Sequence, residues 1–97
     1  MAAYLVACYD IMDEEGYAPY PAAVAPTLIP YDGELIVADF ESEVVEGQPR
    51  RVTVIVKFPS KDAARGWYKS PEYQLVLPLR REHCVGETVI VNEWNAN

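Results

Sequence analysis

The side chains that could do chemistry here are few, and most are phenols, indoles and isolated charges rather than nucleophile–base pairs. A single histidine, His83, stands between Glu82 and Cys84. Adjacent positions near a helix end point in different directions, so these three cannot converge on one ion, and no metal site is expected. A haem held by His83 would need that ring to face inward, whereas the neighbouring charges suit a surface helix end. Cys84 has arginines nearby but no second histidine and no Asn or Asp companion for a triad. It reads as a buried or incidental thiol, and Cys8, between Ala7 and Tyr9, as a small core residue. Gly16, Gly33, Gly47, Gly66 and Gly86 form neither GxGxxG nor a P-loop. No cofactor is expected.

What remains is a set of amphipathic rings, Tyr4, Tyr9, Tyr20, Trp67, Tyr68 and Tyr73, with the charges Asp39, Lys57 and Arg80. Such a set can line a mostly apolar cleft in which a few polar groups orient a small organic ligand. The candidate ligand-binding residues are therefore Asp39, Lys57, Trp67, Tyr68, Tyr73 and Arg80. Asp39 and Lys57 fall on neighbouring strands, where an inward pair would need mutual compensation. Against this stands the reading that Trp67 and Tyr73 only fill the core while Arg80 satisfies a carbonyl or carboxylate. No catalytic residue is assigned.

The elements that must position these groups are legible from pattern and punctuation. Residues 3–11, AYLVACYDI, form a strand that stops at the acidic cluster Asp13-Glu14-Glu15-Gly16. The following stretch carries four of the eight prolines, Pro19, Pro21, Pro26 and Pro30, among alanines and apolar residues, which predicts a broken or kinked helix. Pro21 suits the first helical position and Gly33 the C-terminal cap. Residues 34–40 and 51–58 are the clearest strands and are expected to form a hairpin, with Glu41, Glu43 and Glu46 facing Arg50 and Arg51 across it. Ser60 caps a helix through KDAARGWYK, and Ser70-Pro71-Glu72 starts another that Pro78 should bend. Residues 87–94 make the last strand.

The order strand, helix, strand, strand, helix, strand in 97 residues predicts one domain over 1–97, of α+β class. The expected arrangement is ferredoxin-like βαββαβ, a four-stranded antiparallel sheet with the helices on one face. A sheet with one wet face should be polar on one parity. Here both parities are apolar: Tyr4, Val6 and Cys8 against Leu5, Ala7 and Tyr9, and Val52, Val54 and Val56 against Thr53 and Ile55. The uncovered face, roughly 350 Å² in projection, is as large as a monomer usually tolerates. A second copy of the chain across a two-fold axis is the expected cover, giving a homodimer through the sheet face.

Charge narrows the partners. Fifteen Asp and Glu against eight Lys and Arg leave a net charge of -7, which repels phosphate backbones and anionic membrane surfaces. Nucleic acid and membrane are not expected as partners, and no apolar run approaches the roughly 20 residues of a spanning helix. The start, MAAYL, lacks a basic leader region, and two distant cysteines suit reduced thiols in the cytoplasm.

Residues 54–81, VIVKFPSKDAARGWYKSPEYQLVLPLRR, resemble a small bacterial family known as a domain of unknown function, numbered thirteen-thirty. The motifs are Phe58-Pro59-Ser60, Ala64-Arg65, Trp67-Tyr68, Ser70-Pro71-Glu72-Tyr73 and Arg80. The likeness extends through Tyr20, the alanine-rich Ala22 to Leu28 and Asp32-Gly33 to nearly the whole chain. It implies a dimeric α/β barrel, the superfamily of antibiotic-biosynthesis monooxygenases, muconolactone isomerases and haem-binding relatives. The chain departs from the family at Lys57, where a carboxylate commonly precedes Phe-Pro-Ser, and at Asp39, where a basic residue is frequent. A swapped pair would preserve a charge contact. The functional expectation is a protein that binds or transforms a small aromatic or lipophilic metabolite without a cofactor. The alternative is a non-catalytic dimeric module for structure or protein interaction. Whether it is an enzyme is left open by the sequence, since one scaffold hosts many reactions.

Overall fold

A computed structural model describes residues 1–95. The chain runs β1 (Ala3–Ile11), α1 (Glu14–Tyr17), α2 (Tyr20–Leu28), a 3-10 turn (Ile29–Tyr31), β2 (Glu34–Asp39), β3 (Val52–Phe58), α3 (Lys61–Lys69), α4 (Pro71–Arg81) and β4 (Cys84–Asn92). The strands form one antiparallel sheet in the order β2-β3-β1-β4, the ferredoxin-like arrangement.

Alternation in the central strands decides which face meets the helices. Ala3, Leu5, Ala7 and Tyr9 of β1, with Val52, Val56 and Phe58 of β3, are buried beneath α3 and α4. The opposite parity, Tyr4, Val6, Cys8 and Ile55, is only half-buried, and Val85, Val89 and Val91 of β4 extend it as exposed side chains. The outer sheet face is thus apolar and bare within a single chain.

The proline-rich stretch breaks as its composition requires. Asp13 caps α1 by accepting from the Gly16 backbone N–H, and α2 starts afresh with Pro21 at its second position rather than its first. The expected glycine cap at Gly33 is corrected: Asp32 is the left-handed residue, at φ 54°. Asx side chains tolerate that region better than most. The Gly33 N–H donates to the Leu28 carbonyl. Gly33 serves for space, since an added Cβ would lie 2.9 Å from both Leu28 Cδ2 and Phe58 Cε1.

Two further expectations change. β4 begins at Cys84, three residues before the predicted start, because β1 pairs with it as far as Ile11–Cys84. The cross-hairpin pairing of Glu41, Glu43 and Glu46 with Arg50 and Arg51 does not form. Arg50 instead bridges Asp10 at 3.3 Å and Glu87 at 3.6 Å, and the Arg51 backbone N–H donates to Asp10 at 2.9 Å. The β1–β3 ladder pairs Tyr9 with Val52, which brings Arg51 opposite Asp10 and puts Arg50 within reach of Asp10 and of Glu87 on β4.

Candidate functional site

α4 places its functional side chains by simple helical spacing. Tyr73, Leu77 and Arg80, at i, i+4 and i+7, share the buried face. The helix is started by Ser70, whose hydroxyl oxygen accepts from the Tyr73 N–H at 3.2 Å while donating to the Trp67 carbonyl at 2.7 Å. One serine therefore ends α3 and begins α4, setting Trp67 against Tyr73 with ring centroids 3.9 Å apart. The Trp67 indole N–H donates to Thr27 Oγ1 at 3.0 Å, tying this corner to α2. Tyr68 packs outside the pair, 5.5 Å from the Tyr73 ring.

Arg80 is the centre of the arrangement. Only 8% of it is exposed, and its guanidinium carbon lies 5.6 Å from the centroid of the Tyr9 ring, in cation–π range. The Tyr20 and Tyr73 hydroxyls stand beside the charge, and they bond each other at 2.7 Å. A second phenol pair, Tyr9 and Tyr17, is also joined at 2.7 Å. Burial pushes the Tyr9 phenol well above its ordinary range, and the hydrogen bond to Tyr17 adds to it. Burial likewise raises Tyr20, reinforced by Tyr73 beside it, and raises Tyr17. These phenols stay protonated and act as donors, not bases. Burial opposes the charge on Arg80, but the facing Tyr73 and Tyr20 oxygens outweigh it, and the guanidinium stays charged.

This cluster closes one end of a cleft of about 330 Å³ between α2 and the sheet. α2 leans on α4, so its apolar side, Pro21, Val24, Ala25 and Leu28, overhangs the sheet. Leu5, Ala7, Val54 and Val56 make the floor, and Leu35, Ala38 and Phe40 the open rim. The volume is at the lower end for small-molecule sites, and the lining is mainly aliphatic and aromatic. Tyr17 and Phe40 also line a separate, more polar hollow with Asp10, Glu14, Glu41 and Arg51.

The predicted set divides. Trp67 and Arg80 line the cleft, Tyr73 backs them, and Tyr68 supports Tyr73 from outside. Asp39 and Lys57 are not in the cleft and do not meet. Lys57 lies opposite Glu34, and Asp39 opposite Thr53, both on the outer sheet face. Lys57 faces outward by the plain alternation of β3, whose Val52, Val56 and Phe58 are buried on the inner side, whereas for Asp39 the reason is a bulge between Leu35 and Val37. The extra residue reverses the alternation, so Leu35 and Ala38 face the cleft while Val37 and Asp39 turn away. Asp39 there accepts from the Glu41 N–H at 2.8 Å. Tyr17 was missed by sequence reasoning. Its signal was its place three residues before Tyr20, but it sits on a one-turn helix with no periodicity of its own.

Cys84 is half-buried, and burial raises its thiol, with Glu14 adding to that and Arg80 opposing it, so it is not an activated nucleophile. Among the described residues no three His, Cys, Asp or Glu side chains gather where they could hold a metal ion, and no helix is long and apolar enough to cross a membrane.

The profile of a family described as a domain of unknown function, DUF1330, matches residues 2–94. No curated protein matches the sequence significantly. Among solved structures, a protein of unknown function from Rhodopseudomonas palustris is similar, with a TM-score of 0.75 at 14% identity, covering 97% of this chain and 83% of that one. SnoaB, a cofactor-independent oxygenase from Streptomyces nogalater, has a TM-score of 0.68 at 12% identity, with 98% and 95% covered. A protein from Nitrosomonas europaea described as a putative antibiotic biosynthesis monooxygenase has a TM-score of 0.57 at 10% identity, with 97% and 92% covered. At these identities the likeness is one of fold.

Proposed function

The chain belongs to the DUF1330 family, and we propose that it binds or transforms a small aromatic or lipophilic metabolite, without a cofactor, in the cleft beneath α2. The observation that carries this is an apolar cavity of about 330 Å³ ending on one buried guanidinium ringed by phenols. An apolar body fits against Leu5, Ala7, Val24 and Leu28, and Arg80 stabilises negative charge that is present or developing at the closed end. Trp67 and Tyr73 fix the shape of that end. Asp39 and Lys57, on the other face, take no part in it. The oxygenase SnoaB works on this fold without a cofactor by its own description, which supports such chemistry here by analogy of fold.

The same proposal takes residues 1–97 as one domain that pairs through its outer sheet face, where Val85, Val89 and Val91 are 47%, 53% and 41% exposed. Those valines also favour the alternative, a non-catalytic dimeric module. Both cysteines are free thiols, in keeping with a reducing cytoplasm. Native mass spectrometry of the purified protein separates the readings. The expected result is a dimer retaining a small molecule, with the retained mass lost in Ala38→Trp, which fills the cleft from its open rim. Absence of any retained or added apolar ligand, with the dimer intact, would leave the interaction module.

A further inference from the structure

The hydrogen-bond inventory of the cleft is one-sided. A guanidinium has five N–H donors and no acceptor. Among the described residues Arg80 makes no ion pair: the three salt bridges involve Arg50, Arg65, Asp10, Glu87 and Asp62. Its neighbours are phenols, which carry no compensating charge. Each phenol pair holds two hydroxyl hydrogens and uses one in its internal bond. One hydroxyl hydrogen per pair is left over, and the guanidinium, being donor only, cannot accept it. Trp67, the other polar group of the lining, already spends its N–H on Thr27. No carboxylate, amide or imidazole lines this cavity. The closed end therefore presents a positive charge faced by the neutral Tyr20 and Tyr73 oxygens, with one spare phenol hydrogen per pair and, among the described residues, no carboxylate, at the bottom of an apolar wall.

A buried charge is costly unless it is paired. From this juxtaposition we propose that the ligand of the cleft is an aromatic or lipophilic carboxylate, its two oxygens taken by Arg80 and by the spare hydroxyl hydrogens of the Tyr20–Tyr73 and Tyr9–Tyr17 pairs. A carboxylate arrives already ionised at neutral pH and matches the fork of the guanidinium. A phenol, with an ordinary value of about 10, is almost wholly neutral in water at that pH and brings no charge to meet Arg80. This assignment rests on the reading of the cleft as a ligand site and adds the charge and the polar group of the ligand.

Calorimetry at neutral pH with three naphthalene probes tests it: 2-naphthoate, the neutral amide of the same shape, and 2-naphthol. Naphthoate is expected to bind at least about tenfold more tightly than either, the size of one charge-assisted hydrogen bond. A preference below that overturns the carboxylate assignment while leaving the ligand site standing. Binding of none of the three overturns both. Arg80→Met should reduce the preference to about twofold or less by removing the charge. Because that substitution could cost the fold, the double substitution Tyr20→Phe with Tyr73→Phe provides a second reading. With both hydroxyls gone the pair has no hydrogen to offer, and naphthoate should weaken about three- to tenfold while the amide moves less than twofold. Unchanged naphthoate affinity in this double variant overturns the part given to the phenols.

Discussion

At the scale of single residues the molecule separates groups whose charge is suppressed from groups whose charge is held. Tyr9, Tyr17 and Tyr20 are raised by burial. A raised folded value means that the stability they contribute is complete below the ordinary phenol value of about 10 and is lost as pH climbs from there toward the folded values. In an alkaline titration followed by phenolate absorbance, Tyr9, Tyr17 and Tyr20 should therefore ionise only together with loss of the circular dichroism signal; their ionisation in a protein that keeps that signal would contradict this. Asp10 moves the other way. The Arg51 backbone N–H lowers it first of all, desolvation opposes, and Arg50 adds to the lowering. A depressed carboxyl stabilises the fold above about pH 4 and ceases to do so as pH falls through its folded value. Asp10→Asn should be destabilising at neutral pH, and the gap from the parent protein should close in acid, as read from denaturation midpoints across that range.

The elements owe their positions to a few local devices. Ser70 serves two helices at once, accepting from the Tyr73 N–H and donating to the Trp67 carbonyl. Ser70→Ala should cost about 1–2 kcal/mol in chemical denaturation, since a cap and a buried hydrogen bond go together. It should also loosen the Trp67–Tyr73 stack, seen as a red shift in indole emission. Gly33 admits the turn after α2 to a place beside Phe58. Gly33→Ala should destabilise by roughly 1–3 kcal/mol through overpacking rather than backbone strain. The β2 bulge between Leu35 and Val37 decides which side chains of that strand face the cleft. It turns Asp39 out of the cleft and leaves that wall to Leu35, Ala38 and Phe40.

For the whole molecule, the helices protect one side of the sheet and leave the other apolar. Across the outer face the row Val37, Ile55, Val6 and Val89 runs through all four strands in register. It is flanked by Glu34 and Lys57 at one end, and by Asp39, Thr53 and Glu87 at the other. Such a face, buried against a copy of itself, has the apolar centre and polar rim of a stable interface. Analytical ultracentrifugation should find a dimer. Val89→Lys should weaken it at least about tenfold, by more than one buried side chain's worth of association energy, with no loss of helical signal. A chain that sediments as a single copy when dilute would remove the dimer from the proposal but not the cleft, which opens on the opposite side of the sheet.

The sequence by itself determined the order of elements, the bounds of β1, the serine caps at Ser60 and Ser70, the fold, and the membership of Trp67, Tyr73 and Arg80 in one cluster. These follow from contacts within a few residues, or from a helical period that puts Tyr73 and Arg80 on one face. What it could not determine was the side of the sheet on which Asp39 falls, the partners of Arg50 and Arg51, and the place of Tyr17. The segment ELIVADF is apolar on both parities, so no hydrophobic alternation marks its register, and a one-residue bulge that reverses its faces leaves no trace in the local pattern. Asp10 and Glu87 meet Arg50 through the pairing of β1 with β3 and β4, and Tyr17 meets Tyr9 across a chain reversal. Such encounters depend on how the strands stack, and that is settled only when the whole chain has folded.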